Sequence, residues 1–293
     1  MRGAAAGGAV VAASALAALI PAAFADDARW CGAPPGWATI QAPLERTAAR
    51  INAGGPLNII AVGSSSTVGV GASGPEGAYP HVLETALQAH FPGLAVHVVN
   101  RGHSGEDAPE ELARLAADVI APHPDLAIWQ VGTNAVLRRD DLSTDGEWLR
   151  EGIGLLKQAG IDVVLMDLQY APRVLDRASY GVMEDLIADT ANDAHVGLFR
   201  RFALMAYWHH THPSDAPAMI GGDGLHMTDI GYKCLGDDLA ASLEANWQSE
   251  EKLARRPHGP SDAVASLPGD AASNAVGPGT AAAVRLNDAK PLN

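Results

Sequence analysis

Four short segments of this chain hold, in fixed order, the parts for acyl transfer: Gly63-Ser64-Ser65-Ser66-Thr67, Asn100-Arg101-Gly102-His103-Ser104-Gly105, Gly132-Thr133-Asn134 and Asp223-Gly224-Leu225-His226. A carboxylate three residues before a histidine, on a turn that contains glycine, reaches the imidazole Nδ1–H. It thereby fixes the tautomer and leaves Nε2 free to take a serine proton. The Asn134 amide is a neutral dipole suited to a developing oxyanion, and Gly105 offers a backbone N–H with no side chain to block an acyl group. Taken singly, each segment also reads as an ordinary turn or helix cap. Their order, and the placement of three of them directly after successive apolar runs, points instead to a covalent acyl-serine route with a serine of the first segment, Asp223 and His226 as catalytic residues and Gly105 and Asn134 as oxyanion donors.

Such residues must be carried to one place by the elements between them. Leu57–Val62 is a short, almost wholly apolar run of the kind found in strands buried on both faces, and similar runs recur at Leu94–Val99, Leu126–Val131, Ile161–Met166 and, more weakly, His195–Phe199. Helical stretches are expected at Pro43–Asn52, Tyr79–His90, Pro109–Ile120, Asp145–Ala159, Asp176–Ala194 and Thr228–Trp247. This alternation predicts an α/β domain, a parallel sheet with helices on both faces. Loops at the carboxyl ends of parallel strands share one edge of the sheet, so the segments after the first three strands converge there.

With these motifs the chain resembles the SGNH hydrolases, also called GDSL-type esterases and lipases, over roughly residues 57–247. Their four signature residues fall here on Ser65, Gly105, Asn134 and His226, and Asp223 takes the place of the acid in the family's D-x-x-H block. The resemblance implies a flavodoxin-like three-layer α/β/α fold, an acyl-serine mechanism and no metal or cofactor. It also implies an oxyanion hole made by the backbone N–H groups of Ser65 and Gly105 and the Asn134 side chain. Two departures stand out. Ser64 replaces the Asp of Gly-Asp-Ser, so three consecutive serines compete and register with Gly63 selects Ser65. Ala135 replaces the Asp that usually follows the block-III Asn, which affects loop support rather than chemistry.

The ends of the chain bound its setting. Arg2, an apolar stretch to Ile20 and the A-x-A site Ala23-Phe24-Ala25 read as a signal peptide over residues 1–25, which predicts an exported, periplasmic or secreted protein with no stable membrane insertion after cleavage. Residues 26–56 form an N-terminal extension, and residues 248–293, rich in Pro, Gly, Ala, Ser and charge, read as a disordered tail. Cys31 and Cys234 are the two cysteines, compatible with one disulfide or with two unpaired thiols. The formal charge of −14 becomes −15 without Arg2, the only charged side chain of residues 1–25, and such a surface repels nucleic acid and anionic lipid. His209, His210 and His212 read as part of a polar loop without helical His-x-x-x-His spacing and are assigned to the surface or the cleft rim rather than to a metal. Tyr207 and Trp208 beside them are candidates for an acyl or sugar subsite.

These features define an exported serine esterase acting on an acyl-ester small molecule or an acylated glycan, with short acyl groups expected. An acyltransferase that passes the acyl group to an envelope polysaccharide would use the same residues. A glycan-binding module that has lost its chemistry is disfavoured by the intact Ser65, Asn134, Asp223 and His226.

Overall fold

Alternating side chains on the strands build two separate cores. Leu57, Ile59 and Ala61 of strand β1 (Leu57–Gly63) point into one, and Ile60 and Val62 point into the other. This is the period-two geometry of a strand covered on both faces. A computed structural model describes residues 31–34, 39–138 and 141–254; the signal peptide expected at 1–25, Pro35 and Trp37, and the tail from residue 255 lie outside the described residues.

The sheet comprises β1, β2 (Val96–Gly102), β3 (Leu126–Gln130), β4 (Asp162–Met166) and β5 (Gly197–Phe199), in the order β2-β1-β3-β4-β5 with every neighbouring pair parallel. In chain order the helices are α1 (Glu45–Asn52), α2 (Ser65–Val68), α3 (Tyr79–His90), α4 (Ala108–Leu115), α5 (Thr133–Arg138), α6 (Asp145–Gln158), α7 (Pro172–Leu175), α8 (Tyr180–Ala194), α9 (Arg201–Thr211) and α10 (Asp229–Ala254). The first core takes side chains from α1, α3, α9 and α10, and the second from α4, α5, α6 and α8. The result is the expected three-layer α/β/α arrangement. Among the described residues, no helix is long and apolar enough to cross a membrane.

Several boundaries differ from the sequence expectation. β2 starts at Val96 rather than Leu94 and continues through Asn100, Arg101 and Gly102, so the second motif begins inside the strand. As an edge strand it is covered on one side only, and Val99 is 42% exposed. The helix expected over Asp176–Ala194 starts at Tyr180 instead, and a separate short helix, α7, opened by Pro172 at its first position, ends at Leu175 before it. Residues 201–211 are helix α9, not the polar loop expected around the histidines. Arg201, Leu204, Met205 and Trp208 recur at i, i+3, i+4 and i+7 and are all buried. The last helix runs to Ala254 instead of Trp247, with Gln248 Nε2 donating to Glu244 Oε1 one turn back at 2.9 Å, so residues 248–254 of the expected tail are helical.

Cys31 and Cys234 form a disulfide, with Cα atoms 5.6 Å apart, that ties the start of the described chain to the second turn of α10. Beside it, the Ala33 N–H donates to Asp238 Oδ1 at 3.3 Å.

Candidate active site

The three serines after β1 face three different partners. Ser64 is 3% exposed, and both its N–H and its hydroxyl donate to Gln130 Oε1 at 3.1 Å. Ser66, 1% exposed, turns the other way, with its hydroxyl 3.4 Å from Gln169 Oε1. Ser65, the first residue of α2, places its Oγ 2.9 Å from His226 Nε2. Of the three hydroxyls, that of Ser65, the serine in register with Gly63, is the one that meets the imidazole.

The turn that carries Ser65 is crowded into position. A side chain on Gly102 would collide with the backbone of Thr67 and Val68, so only glycine lets the end of β2 lie against α2. Asn100 Nδ2 donates to Thr67 O at 2.6 Å, and the His103 N–H donates to Gly63 O at 2.9 Å. Arg114 on α4 spans the same junction, donating to Glu106 Oε2 at 2.6 Å and to Gly63 O at 3.3 Å. Helix α4 is itself fixed by a capping box, in which the Asp107 side chain accepts from the Glu110 N–H and the Glu110 side chain accepts from the Asp107 N–H, with Asp107 Oδ1 also accepting from Ala108 N.

On the base side, His226 Nδ1 lies 2.5 Å from Asp223 Oδ2, while Asp223 Oδ1 accepts the N–H groups of Leu225 and His226, each at 3.0 Å. Partial burial opposes ionisation of Asp223, but the Leu225 N–H, the imidazole and the His226 N–H outweigh it and hold the carboxyl down at about 2. The imidazole therefore faces a permanent negative charge at Nδ1 and the serine hydroxyl at Nε2. The turn is tied down by Gly221 N to His226 O at 2.8 Å and by Arg173 N to Gly224 O at 3.0 Å. Gly71 packs directly beneath it, since a Cβ there would strike Met227 O and come within 3.2 Å of His226 Cβ.

The expected oxyanion donors stand at the carboxyl ends of β1, β2 and β3, which are adjacent strands. Gly105 is exposed, with φ +86°. Asn134, in the first turn of α5, donates from Nδ2 to Glu106 O at 2.6 Å, which joins it to the residue after Gly105 and leaves its second N–H for another acceptor.

Gln130, Gln169 and Arg114 are the parts that motif reading missed. Gln130 and Gln169 are each 1% exposed, and Gln130 Oε1 also accepts from Thr67 Oγ1 at 3.2 Å. Gln130 carried a signal in the sequence, as a polar residue ending an otherwise apolar strand.

Trp208 is fully buried in the core and lines no subsite, and Tyr207 packs against that core. The feature beside the triad turn is instead a cavity of about 290 Å³, bounded by Tyr170, Met205, His209, Pro217 and Met219 and by the glycines at 221, 222 and 224. His209 and His210 close the end of α9, with their rings 5.3 and 6.2 Å from that of Tyr170. Among the described residues, no group of three or more His, Cys, Asp or Glu side chains is placed to hold a metal ion.

A parallel five-stranded sheet with a Ser, a Gly, an Asn and an Asp–His turn at its carboxyl edge defines an SGNH/GDSL-like hydrolase, a carboxylic ester hydrolase. The chain belongs to the Non-GDSL lipase-like family, whose model matches residues 30–248. It is 30% identical to an arylesterase of Vibrio mimicus over 168 residues, covering 57% of this chain and 79% of the relative. It is also 30% identical to an acetylxylan esterase of Geobacillus stearothermophilus, over 50% of this chain and 78% of that one. Among solved structures, the fold is similar to a two-domain esterase (CEX) active on acetylated mannans, with a TM-score of 0.61 and 19% identity over 72% of this chain; this chain spans only 56% of that protein's length. The acetylxylan esterase Axe2 of Geobacillus stearothermophilus shares the fold with a TM-score of 0.53 and 23% identity over 65% of this chain and 95% of Axe2.

Proposed function

We propose that this protein is an exported serine esterase that removes short acyl groups, acetyl foremost, from a glycan or another envelope ester through an acyl-serine intermediate. The observation that carries the reading is the continuous line from Ser65 Oγ to His226 Nε2 at 2.9 Å and from His226 Nδ1 to Asp223 at 2.5 Å.

In this reading His226 Nε2 takes the Ser65 proton as Oγ bonds to the ester carbonyl carbon, and the carbonyl oxygen becomes an alkoxide. The Asn134 side chain and the N–H groups of Ser65 and Gly105 receive that negative charge. The imidazolium, stabilised by Asp223, then protonates the departing alcohol oxygen as the C–O bond breaks. Water repeats the sequence, giving one proton to His226 and releasing the carboxylic acid and free Ser65. The cavity beside Tyr170 and His209 is assigned to the alcohol portion of the ester, since its volume accommodates one ring-sized group.

The acetyl preference draws on the acetylated xylan and mannan named for the similar proteins. Export draws on the segment before Asp26 and agrees with a disulfide, which persists in oxidising compartments. The test is turnover of p-nitrophenyl esters from two to twelve carbons, with Ser65→Ala as control and fluorophosphonate labelling read by peptide mass spectrometry. The reading expects an adduct on Ser65 and the highest kcat/KM at two carbons. An adduct on Ser64 or Ser66, or kcat/KM climbing steadily to twelve carbons, would replace it.

A further inference from the structure

Three of the four motif segments meet at one side chain outside all of them. Gln169, which follows β4, is 1% exposed. Its Oε1 lies 3.0 Å from Thr133 Oγ1 and 3.4 Å from Ser66 Oγ, and its Nε2 lies 3.5 Å from Leu225 O. Leu225 O is a carbonyl and can only accept, which fixes the amide orientation: Nε2 towards Leu225, Oε1 towards the two hydroxyls. Ser66 adjoins Ser65, Thr133 adjoins Asn134, and Leu225 adjoins His226. One amide therefore touches the immediate neighbour of the proposed nucleophile, of the proposed oxyanion donor and of the proposed base.

The backbone beneath this amide is held from behind. Fully buried Arg201, at the start of α9, donates from Nε and Nη2 to Asp167 O at 3.0 and 2.6 Å, and the Leu168 N–H donates to Glu184 Oε1 at 3.2 Å. The Phe202 N–H donates to Asp167 Oδ1 at 2.9 Å. Burial, reinforced by the neighbouring Asp167 charge, raises the Glu184 carboxyl, which keeps it protonated beside its neighbour. Gln169 thus projects from a fixed support and not from a mobile loop.

We infer that Gln169 is a positioning residue that sets the spacing of Ser65, Asn134 and His226; the inference rests on the acyl-serine reading above. It contacts none of the reacting atoms. Its particular fitness is that it is a donor on one side and an acceptor on the other, which a carboxylate cannot be and a carboxylic acid can.

That distinction supplies the test. Gln169→Leu and Gln169→Glu are compared with the wild type on p-nitrophenyl acetate across pH, with melting temperature recorded alongside. Gln169→Leu lowers kcat about tenfold, the rate equivalent of one net hydrogen bond, with KM within twofold. Gln169→Glu keeps wild-type kcat while its buried carboxyl is protonated and falls towards the Leu value as the carboxyl ionises, which adds an alkaline limb to the profile. His226 and Asp223 on the triad turn, and Asp167, Glu184 and Arg201 behind β4, are common to all three proteins. A limb confined to Gln169→Glu therefore belongs to the new carboxyl. If Gln169→Leu does not fold, the near-isosteric Glu variant carries the test alone through that limb.

A folded Gln169→Leu with wild-type kcat, a loss that appears only in KM, or a Gln169→Glu profile that parallels the wild type would each overturn the assignment while leaving the acyl-serine reading intact. Retained activity in Ser65→Ala would instead remove that reading, and the Gln169 assignment with it.

Discussion

Replacing Asp223 by Asn is more damaging than replacing it by Ala, although Asn is the closer match in shape. In the native turn, Oδ1 accepts two backbone N–H groups and Oδ2 faces His226 Nδ1. Asn keeps the first role with its carbonyl and presents an N–H to Nδ1, which forces the imidazole proton onto Nε2. The ring then offers a donor to Ser65 Oγ where a base is needed. In a buried protease triad this tautomer error costs about 10⁴ in kcat. Here the Asp223 side chain is 45% exposed, so the new amide can swing into water and part of the penalty is relieved; the expected loss is about 10²–10³. Ala imposes no wrong tautomer, and water can reach the vacated site, so its loss is smaller, on the order of 10–10². His226→Ala exceeds both, because the base itself is gone. The assay is kcat/KM on p-nitrophenyl acetate near neutral pH, with circular dichroism melts to show that the turn survives. Asn equal to or better than Ala would mean that Asp223 does not set the tautomer.

Asn134→Ala should lower kcat by about 10²–10³ with KM nearly constant, since the free amide N–H binds the oxyanion more strongly than the ground-state carbonyl; a change in KM alone would place Asn134 in substrate binding. Replacing both Cys31 and Cys234 by Ala should lower the melting temperature by about 10–20 °C, because a bridge across a sequence separation of 203 removes about 5 kcal/mol of unfolded-chain entropy. Equal melting of oxidised, reduced and double-Ala protein would refute that. Burial pushes the Glu111 carboxyl up to about 8 while it accepts from Trp129 Nε1 at 2.7 Å. The folded state therefore holds this proton more tightly than the unfolded chain, and stability falls as pH rises from about 4.3 to about 8. Glu111→Gln keeps the acceptor and should flatten that decline in melts taken between pH 5 and 9; an unchanged slope would show that Glu111 does not contribute to it.

The elements most readable in the sequence were those whose apolar pattern is set by burial on two faces. Tyr79–His90 forms a helix with the expected bounds, and β1, β3 and β4 lie within a residue of their apolar runs. α9 is hidden in the sequence although Arg201, Leu204, Met205 and Trp208 carry a helical period, because the polar His-His-Thr-His-Pro-Ser-Asp stretch that follows Trp208 looks like a loop. The same stretch makes Trp208, a core side chain, look like part of a cleft. That Ser65, His226 and Asp223 lie together was legible because proton transfer restricts which side chains can pair and in what order, and the structure brings these three into line. The glutamines were not, since a buried amide has no fixed spacing from the groups it joins and only the sheet brings Gln130 and Gln169 beside the serines.

That difference bears on how this chain tolerates its departures from the usual Gly-Asp-Ser block. With Ser64 in place of the Asp, no carboxylate lies inside the nucleophile turn, and the turn is held from outside. Gln130 Oε1 gathers the Ser64 N–H, the Ser64 hydroxyl and the Thr67 hydroxyl, and Thr67 Oγ1 is in turn 3.3 Å from Tyr79 OH. These groups are all buried, where hydrogen bonds between neutral partners avoid the desolvation cost that an ionised Asp would incur. The sheet order makes the substitution workable. β1 lies directly beside β3, so the last residue of β3 faces the first turn after β1, and an amide there can hold the turn that a carboxylate one residue before Ser65 would otherwise hold. The turn that carries Ser65 is thus supported from the neighbouring strand, and Ser65, His226 and Asp223 stand in line at hydrogen-bond spacing.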